Sequence, residues 1–237
     1  MGWGDDIMLT AEARVVREQI GIPAKVEYWS PLFDGNKDIT RQQGFPIKNK
    51  PGNRPYHLGA VKTNKGTKVI FNPHYKAQPG HLDVRPVVHG KILIEPNSKG
   101  EFFAGNKDWG FEKYQAVVNR MWPAEFLQVG NKGRVLDRVE FVHTDSFLDA
   151  LPYVAGARMY LGPEGGLHHA AAALGISGVV IFGGLTHPKT TGYDIHINLA
   201  SDDAGCGHMF HCEHCREAMD AISIEKVIEA CRTVHGS

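Results

Sequence analysis

Three groups of residues in this sequence have the types and spacings to do chemistry. The first is Gly162 to Pro188, GPEGGLHHAAAALGISGVVIFGGLTHP. Leu161 closes a short apolar strand beginning at Ala157, and Gly162, Gly165 and Gly166 let the backbone turn with its amides outward. Leu167 to Leu174 is alanine-rich and reads as a helix ended by Gly175, and Val179 to Phe182 reads as a buried β run. Such a turn offers free N–H groups and the positive end of a helix dipole, which suits an anion such as a diphosphate. Most strand–glycine–helix turns in α/β proteins bind nothing, so the turn acquires meaning from its company. The second group is Cys206 to Cys215, with three cysteines and three histidines within ten residues. These are soft ligands of the kind zinc takes, with Cys206, Cys212, Cys215 and His208 the candidate set. The second ligand pair is compressed, so structural zinc, buried thiols and a disulfide all stay open. The third group is Asp5 and Asp6. Position alone makes Asp5 a cap for the helix that follows, where negative charge is favourable.

The elements that must position these groups follow from the pattern of apolar residues. Ile7 to Ile20 reads as a helix with Ile7, Ala11 and Val15 on one stripe and Arg14, Arg17 and Glu18 outside. An α/β domain normally places a strand before such a loop. Here the chain opens at the loop, so that strand is absent or supplied from elsewhere. Ala24 to Trp29 alternates like a strand, Ile39 to Pro55 reads as irregular loop, and Lys68 to Asn72 as a short strand. Pro73 to Pro86 is rich in proline and marks a join between two lobes, residues 1–86 and 87–237. From residue 90 onward strands at Ile92–Glu95, Phe126–Val129, Val139–Val142, Ala157–Leu161, Val179–Phe182 and Ile195–Leu199 alternate with helices at Phe111–Met121, Phe147–Val154 and Leu167–Leu174. That is the signature of a parallel sheet covered on both faces, whose ligand sits at the carboxyl ends of the strands. The informative loops are then those around Ser98, Gly130, Thr144, Glu164 and Thr186. Residues 213–235 read as a helix pair, with Ser223 capping the second.

Composition sets outer bounds. The 237 residues hold 26 acidic and 26 basic side chains, so no global field argues for nucleic acid. No apolar run reaches the roughly 20 residues that cross a bilayer, and no leader peptide is visible. The expectation is a cytoplasmic protein without a membrane span.

Three separated segments together resemble glycosyltransferase family 9, the ADP-heptose:lipopolysaccharide heptosyltransferases. Gly4-Asp5-Asp6-Ile7-Met8-Leu9-Thr10-Ala11-Glu12-Ala13-Arg14 is similar to that family's N-terminal loop and helix. Ser98 followed by Asn106-Lys107-Asp108-Trp109 is similar to its small-hydroxyl turn and Lys-x-Trp segment. Gly162 to Leu174, with Phe182-Gly183 and Thr186-x-Pro188 after it, is similar to its Asp-Thr-Gly-x-x-His-x-x-Ala-Ala turn. Cys212-x-x-Cys215 and the tail from Ile222 to Val227 also resemble its C-terminal helix. The resemblance implies an α/β, GT-B-like protein of two Rossmann-like lobes with parallel sheets, the N-terminal lobe reduced. It implies transfer of a sugar from a nucleotide-diphosphate donor to a hydroxyl acceptor, inverting and without a required metal. The alternative is a non-catalytic nucleotide- or zinc-binding relative.

Roles carried over residue by residue are these. Asp5 takes the family's catalytic aspartate position as base, with Asp6 the alternate. Lys107 holds the phosphates as a point charge, and Ser98 donates to a phosphate oxygen or ends a strand. Gly165 and Gly166 present amides to the diphosphate. Glu164, standing where the family has Asp, binds the sugar or shapes the turn. His169 matches the family's histidine, while His168 faces solvent or packs. Gly130 and Thr144 border the nucleobase, and Thr186 lines the sugar pocket or simply turns toward Pro188.

Overall fold

The computed structural model describes residues 2–49, 54–64, 66–97, 105–201 and 205–235. Its centre is a six-stranded parallel sheet: β6 (Ile92–Ile94), β7 (Phe126–Gly130), β8 (Glu140–His143), β9 (Met159–Pro163), β10 (Gly178–Phe182) and β11 (His196–Ala200), in the order β11-β10-β9-β6-β7-β8. The chain builds outward from β6 to β8, then returns to the other side of β6 at β9. The order therefore reverses between β6 and β9, and that is where doubly wound sheets bind ligands.

The inner strands β6, β9 and β10 are buried on both faces because both are covered, while the edge strand β8 is largely exposed. Ile92, Ile94, Val179 and Ile181 enter one core with Tyr114, Val117 and Val118 of α2 (Phe111–Arg120), Met219 of α6 (Glu213–Asp220), and Val227, Ile228 and Cys231 of α7 (Ile224–His235). The alternate residues Leu93, Val180 and Phe182 enter the other core, as the period of two requires. There they meet Ala150, Leu151 and Val154 of α3 (Phe147–Ala155) and Leu167, Ala170 and Ala171 of α4 (Gly166–Ala173). They also meet Ile7, Leu9 and Ala13 of α1 (Trp3–Ile20). The N-terminal helix thus shares a core with the six-stranded sheet. Each of these aliphatic side chains stabilises the fold by about 1.5–3 kcal/mol on burial.

The first ninety residues differ most from expectation. α1 begins at Trp3 rather than Ile7, with Asp5 and Asp6 inside its first turn. Ala24 to Trp29 yields only the two-residue β1 (Ala24–Lys25). Its partners are β2 (Ile39–Thr40) and β3 (Phe45–Pro46), in the order β2-β1-β3, all parallel. Both partners lie in the stretch expected to be irregular. The segment at Lys68 is one arm of a hairpin, β4 (His57–Thr63) against β5 (Gly66–Phe71). The first arm gave no clear pattern because most of its side chains are exposed. Residues 75–91 have no regular structure; Arg14 of α1 donates to the carbonyls of Pro79 and Gly80 at 3.2 Å, and further on Val87 N–H donates to Pro152 O at 2.9 Å and Gly90 N–H to Gly156 O at 3.2 Å. Ser223 does cap α7: its Oγ accepts from Lys226 N–H at 3.2 Å.

Candidate functional site

The carboxyl ends of β9 and β6 frame the site. Gly162 lies in β9, and its hydrogen is a packing requirement, since a Cβ there would come 2.3 Å from Tyr160 Oη and 2.9 Å from Glu95 Cβ. After Pro163 the chain turns through Glu164 and Gly165 into α4, whose first amides have no carbonyl one turn back. A Cβ on Gly166 would sit 2.9 Å from the Phe147 ring. Gly166, read as phosphate-facing, therefore also admits the helix to its place, whereas a Cβ on Gly165 would meet nothing within 4 Å.

Glu164 is 7% exposed and paired with the Lys107 ammonium. Burial works against its ionisation, but the Lys107 charge and the hydrogen bond from His169 outweigh burial and hold the carboxyl well below the ordinary range. His169 Nε2 lies 3.3 Å from Glu164 Oε1, and its Nδ1 lies 2.7 Å from Tyr193 Oη. With Nε2–H donated to the carboxylate, Nδ1 accepts the Tyr193 hydroxyl. Lys107, Glu164, His169 and Tyr193 form one polar chain across the point where the sheet order reverses. Tyr193 lay outside the motifs, and nothing in the sequence pointed to it.

His168 packs, one of its two expected fates. It is fully buried, with its ring 5.7 Å from Phe182 and 5.2 Å from His196. Burial drives its pKa well down, and His196 is likewise lowered to about 4. Both imidazoles are neutral at physiological pH.

Asp5 and Asp6 have different partners. Asp6 is buried and its Oδ1 lies 3.1 Å from Arg54 Nη2. Burial raises its pKa against the opposing pull of Ser30 and Arg54. Asp5 is half-buried; it accepts the Tyr56 hydroxyl and, at 3.3 Å, the Gly2 N–H. Arg54 and Tyr56, two residues apart, thus address both carboxylates. The close approach of α1 to α4 is permitted by Gly4, where a Cβ would fall 2.4 Å from His169 Cδ2. Tyr56 joins Met8 of α1, Ala172 of α4 and Tyr193 in a small apolar cluster.

The outer candidates line the same end of the sheet. Gly130 ends β7, and Thr144, after β8, donates its N–H to Gly130 O at 3.1 Å. Thr186 follows β10 and is buried against Thr191, with their hydroxyls 2.6 Å apart. Ser98 lies outside the described residues. A cavity of about 370 Å³ opens at the opposite, amino end of the sheet, lined by Arg158, Arg232 and Glu125 among others. It holds none of the candidate residues, and strand-end chemistry in such sheets belongs to the carboxyl side.

The Cys/His segment folds into a knuckle. Cys206, Cys212, Cys215 and His214 place four donor atoms within 4.8 Å of one another. His208 lies alongside, its Nδ1 3.4 Å from Cys212 Sγ and 3.7 Å from Cys206 Sγ, so two imidazoles compete for the fourth position. The four cysteines of the chain are free thiols. Cys206 and Cys215 sulfurs are 2.9 Å apart, and that contact holds the Cys206 thiol well below its ordinary range while pushing Cys215 up. Three cysteines and an imidazole at this spacing suit zinc or iron.

Among the described residues no helix is long and apolar enough to cross a membrane. No family model and no curated protein sequence matches the chain. Solved structures do. The iron-containing dodecameric glycosyltransferase TibC from enterotoxigenic E. coli H10407 aligns with a TM-score of 0.66 at 14% identity, covering 100% of this chain and 76% of TibC. TibC in complex with ADP-D-beta-D-heptose aligns at 0.52 and 15%, covering 68% of this chain and 50% of that one. The family 9 glycosyltransferase of Veillonella parvula DSM 2008 aligns at 0.50 and 13%, covering 67% and 54%. In the last two the chain spans about half the length of the protein it matches. At these identities the likeness is one of fold: the chain has the GT-B heptosyltransferase fold with a reduced N-terminal lobe, as its motifs implied.

Proposed function

We propose that this chain transfers a sugar from a nucleoside-diphosphate donor to a hydroxyl acceptor with inversion at the anomeric carbon. The observation that carries this reading is the pairing of Lys107 with Glu164 at the mouth of the α4 turn, across the reversal of strand order. The diphosphate lies against the first amides of α4, and Lys107 moves its charge from Glu164 toward the phosphate oxygens. That supplies from the chain itself the positive charge a departing diphosphate needs. Glu164 and His169 then face the sugar, while Gly130 and Thr144 border the base and Thr186 closes the far side.

Asp5 accepts the acceptor proton as the acceptor oxygen bonds to the anomeric carbon. The bond from that carbon to the phosphate oxygen breaks on the opposite face, which gives inversion. Asp6, neutralised by Arg54, holds the helix start rather than the proton. The acceptor enters along α1. A cavity of about 200 Å³ on the Asp5 side of that helix is lined by Met8, Ala11, Glu12, Val15, Tyr75, Lys76 and Gln78. Glu12 stands two turns beyond Asp5, about 10 Å along the axis. In this reading residues 1–86 carry acceptor and base, and residues 87–237 carry the donor. A metal held by Cys206, Cys212, Cys215 and one of His214 or His208 has a structural role, ordering the knuckle.

Calorimetry with ADP, UDP, GDP and CDP sugars tests the reading. One donor is expected to bind in the micromolar range and to be hydrolysed slowly, with hydrolysis abolished in Asp5→Asn. Binding without hydrolysis or transfer to any acceptor would identify a non-catalytic nucleotide-binding relative instead.

A further inference from the structure

Lys107 ends a short helical turn, residues 105–107, and its neighbours fix its place. Asn106 is 1% exposed and commits its whole carboxamide to the knuckle. Its Nδ2 donates to His208 O at 2.6 Å and to Phe210 O at 2.7 Å, and its Oδ1 accepts Cys212 N–H at 3.2 Å. On the other side of Lys107, Asp108 O accepts from Arg216 at 3.1 Å, and Arg216 follows Cys215 directly. The loop after β10 completes the clamp, since a Cβ on Gly184 would fall 1.9 Å from Asn106 O. The lysine is thus flanked by two residues held from 208–216, the stretch that includes two of the three converging cysteines.

Before α6 begins at Glu213, the knuckle has little regular structure of its own. Cys206 and Gly207 N–H groups donate to Gly184 O and Leu185 O at 3.1 Å, and Lys68 bridges to His208. Between these bonds Cys206, Cys212, Cys215 and His214 converge, with one donor atom of each within 4.8 Å of the others.

We infer that metal loading of the Cys206–Cys212–Cys215 knuckle sets donor affinity, and that Asn106 is the positioning residue carrying the effect to Lys107. The inference rests on the donor reading above. When the knuckle loses its metal, the carbonyls of His208 and Phe210 shift away from Asn106, the 105–108 segment loosens, and Lys107 no longer stands ready beside Glu164. Knuckle and donor turn are then two sites joined by a coupling free energy, and such couplings change affinity about 5- to 150-fold.

The test is a two-by-two calorimetric comparison. Wild type and Asn106→Ala are each titrated with ADP, UDP, GDP and CDP, once loaded with zinc(II) and once stripped by chelator, with metal content measured by mass spectrometry. Stripping wild type is expected to weaken the best nucleotide about tenfold, and re-added zinc restores it. Loaded Asn106→Ala retains one zinc with an unchanged cobalt(II)-substitution spectrum, yet binds nucleotide as weakly as stripped wild type. Stripping that variant weakens it no further, because both changes cut the same link. The inference is overturned if stripped wild type stays within twofold of loaded, or if the two losses multiply. Should Asn106→Ala fail to fold, the stripped and reloaded wild type decides alone by the same criterion. If loaded wild type binds no nucleoside diphosphate, the donor reading itself falls and takes the coupling with it. If nucleotide binds but ignores the metal, only the coupling falls.

Discussion

Replacing Lys107 with methionine tests the centre of the site, because the loss is felt in both stability and binding. Glu164 is buried beneath Lys107, whose side chain is 22% exposed. Removing one partner of a buried pair costs about 3–5 kcal/mol. Partial solvation of the lysine reduces this, and we expect about 2–3 kcal/mol at pH 7. For a chain of this size that lowers Tm by about 4–12 °C. The pH dependence gives the sign. In wild type the carboxyl is held below its ordinary range, so its contribution is present above pH 4.5 and lost as pH falls through the depressed value. Without Lys107, burial raises that pKa, and the variant escapes its penalty by protonating Glu164 as the solution is acidified. The Tm difference is therefore greatest near neutrality and shrinks toward pH 4.5. A second substitution, Glu164→Gln, removes the stranded charge and restores most of the stability but none of the nucleotide affinity. That affinity falls about 10- to 150-fold with the lost charge-assisted hydrogen bonds, about 1.5–3 kcal/mol. Scanning calorimetry from pH 4.5 to 7.5, with nucleotide titrations, reads both effects. A Lys107→Met Tm within about 1 °C of wild type at every pH would refute the buried-pair reasoning, and unchanged nucleotide affinity would refute the phosphate role.

Three further outcomes are expected. Glu12, raised to about 7 mainly by burial, with Tyr75 and Arg54 opposing and Asp5 assisting, stabilises the fold below its ordinary 4.5 and loses that contribution as pH rises through 7. Glu12→Gln is thus near wild type at pH 5 and more stable at pH 8 by up to about 3 kcal/mol, measured by urea unfolding. Cys215→Ser loses the knuckle metal and speeds amide hydrogen exchange at Val69 and Met209, whose N–H groups bond to Gly207 O at 2.8 Å and Thr67 O at 3.0 Å; unchanged exchange would separate knuckle from hairpin. Gly162→Ala drives a methyl into Tyr160 Oη and costs about 1–3 kcal/mol in thermal unfolding, where a neutral result would contradict the packing.

The sheet half of the molecule was legible because its signals are local. Ile92–Ile94 and Gly178–Phe182 are buried on both faces, so their apolar runs stand out, and Gly175 ends α4 with a positive φ of 73° that favours glycine. Lys107 and Glu164 came from spaced motifs, and the fold then paired them. The N-terminal half was harder to read. Two-residue strands such as Ile39–Thr40 are too short to show a period, and β4 is exposed on both faces. Arg54, Tyr56 and Tyr193 were missed, and Asn106 was given no role within its segment, for a different reason. Each gains its role from a partner 24 or more residues away in sequence, and a lone tyrosine or asparagine carries no spacing signal.

The position of α1 bears on how a reduced N-terminal lobe can still serve a two-lobed fold. Ile7, Leu9 and Ala13 share a core with Leu167, Ala170 and Ala171, and Trp3 stacks on Phe147 at 5.2 Å. Separating α1 from α4 exposes all of that apolar surface, at about 25 cal/mol for each Å². Asp5 is thereby fixed against the turn that precedes α4 by core packing, without relying on closure of one lobe upon the other. The alanines of α4 and the bare Cα of Gly4 are what permit so close an approach. On the proposed reading, the precision of Asp5 as base relative to the leaving group then depends on helix packing, and the acceptor is left to the cavity between α1 and residues 75–78.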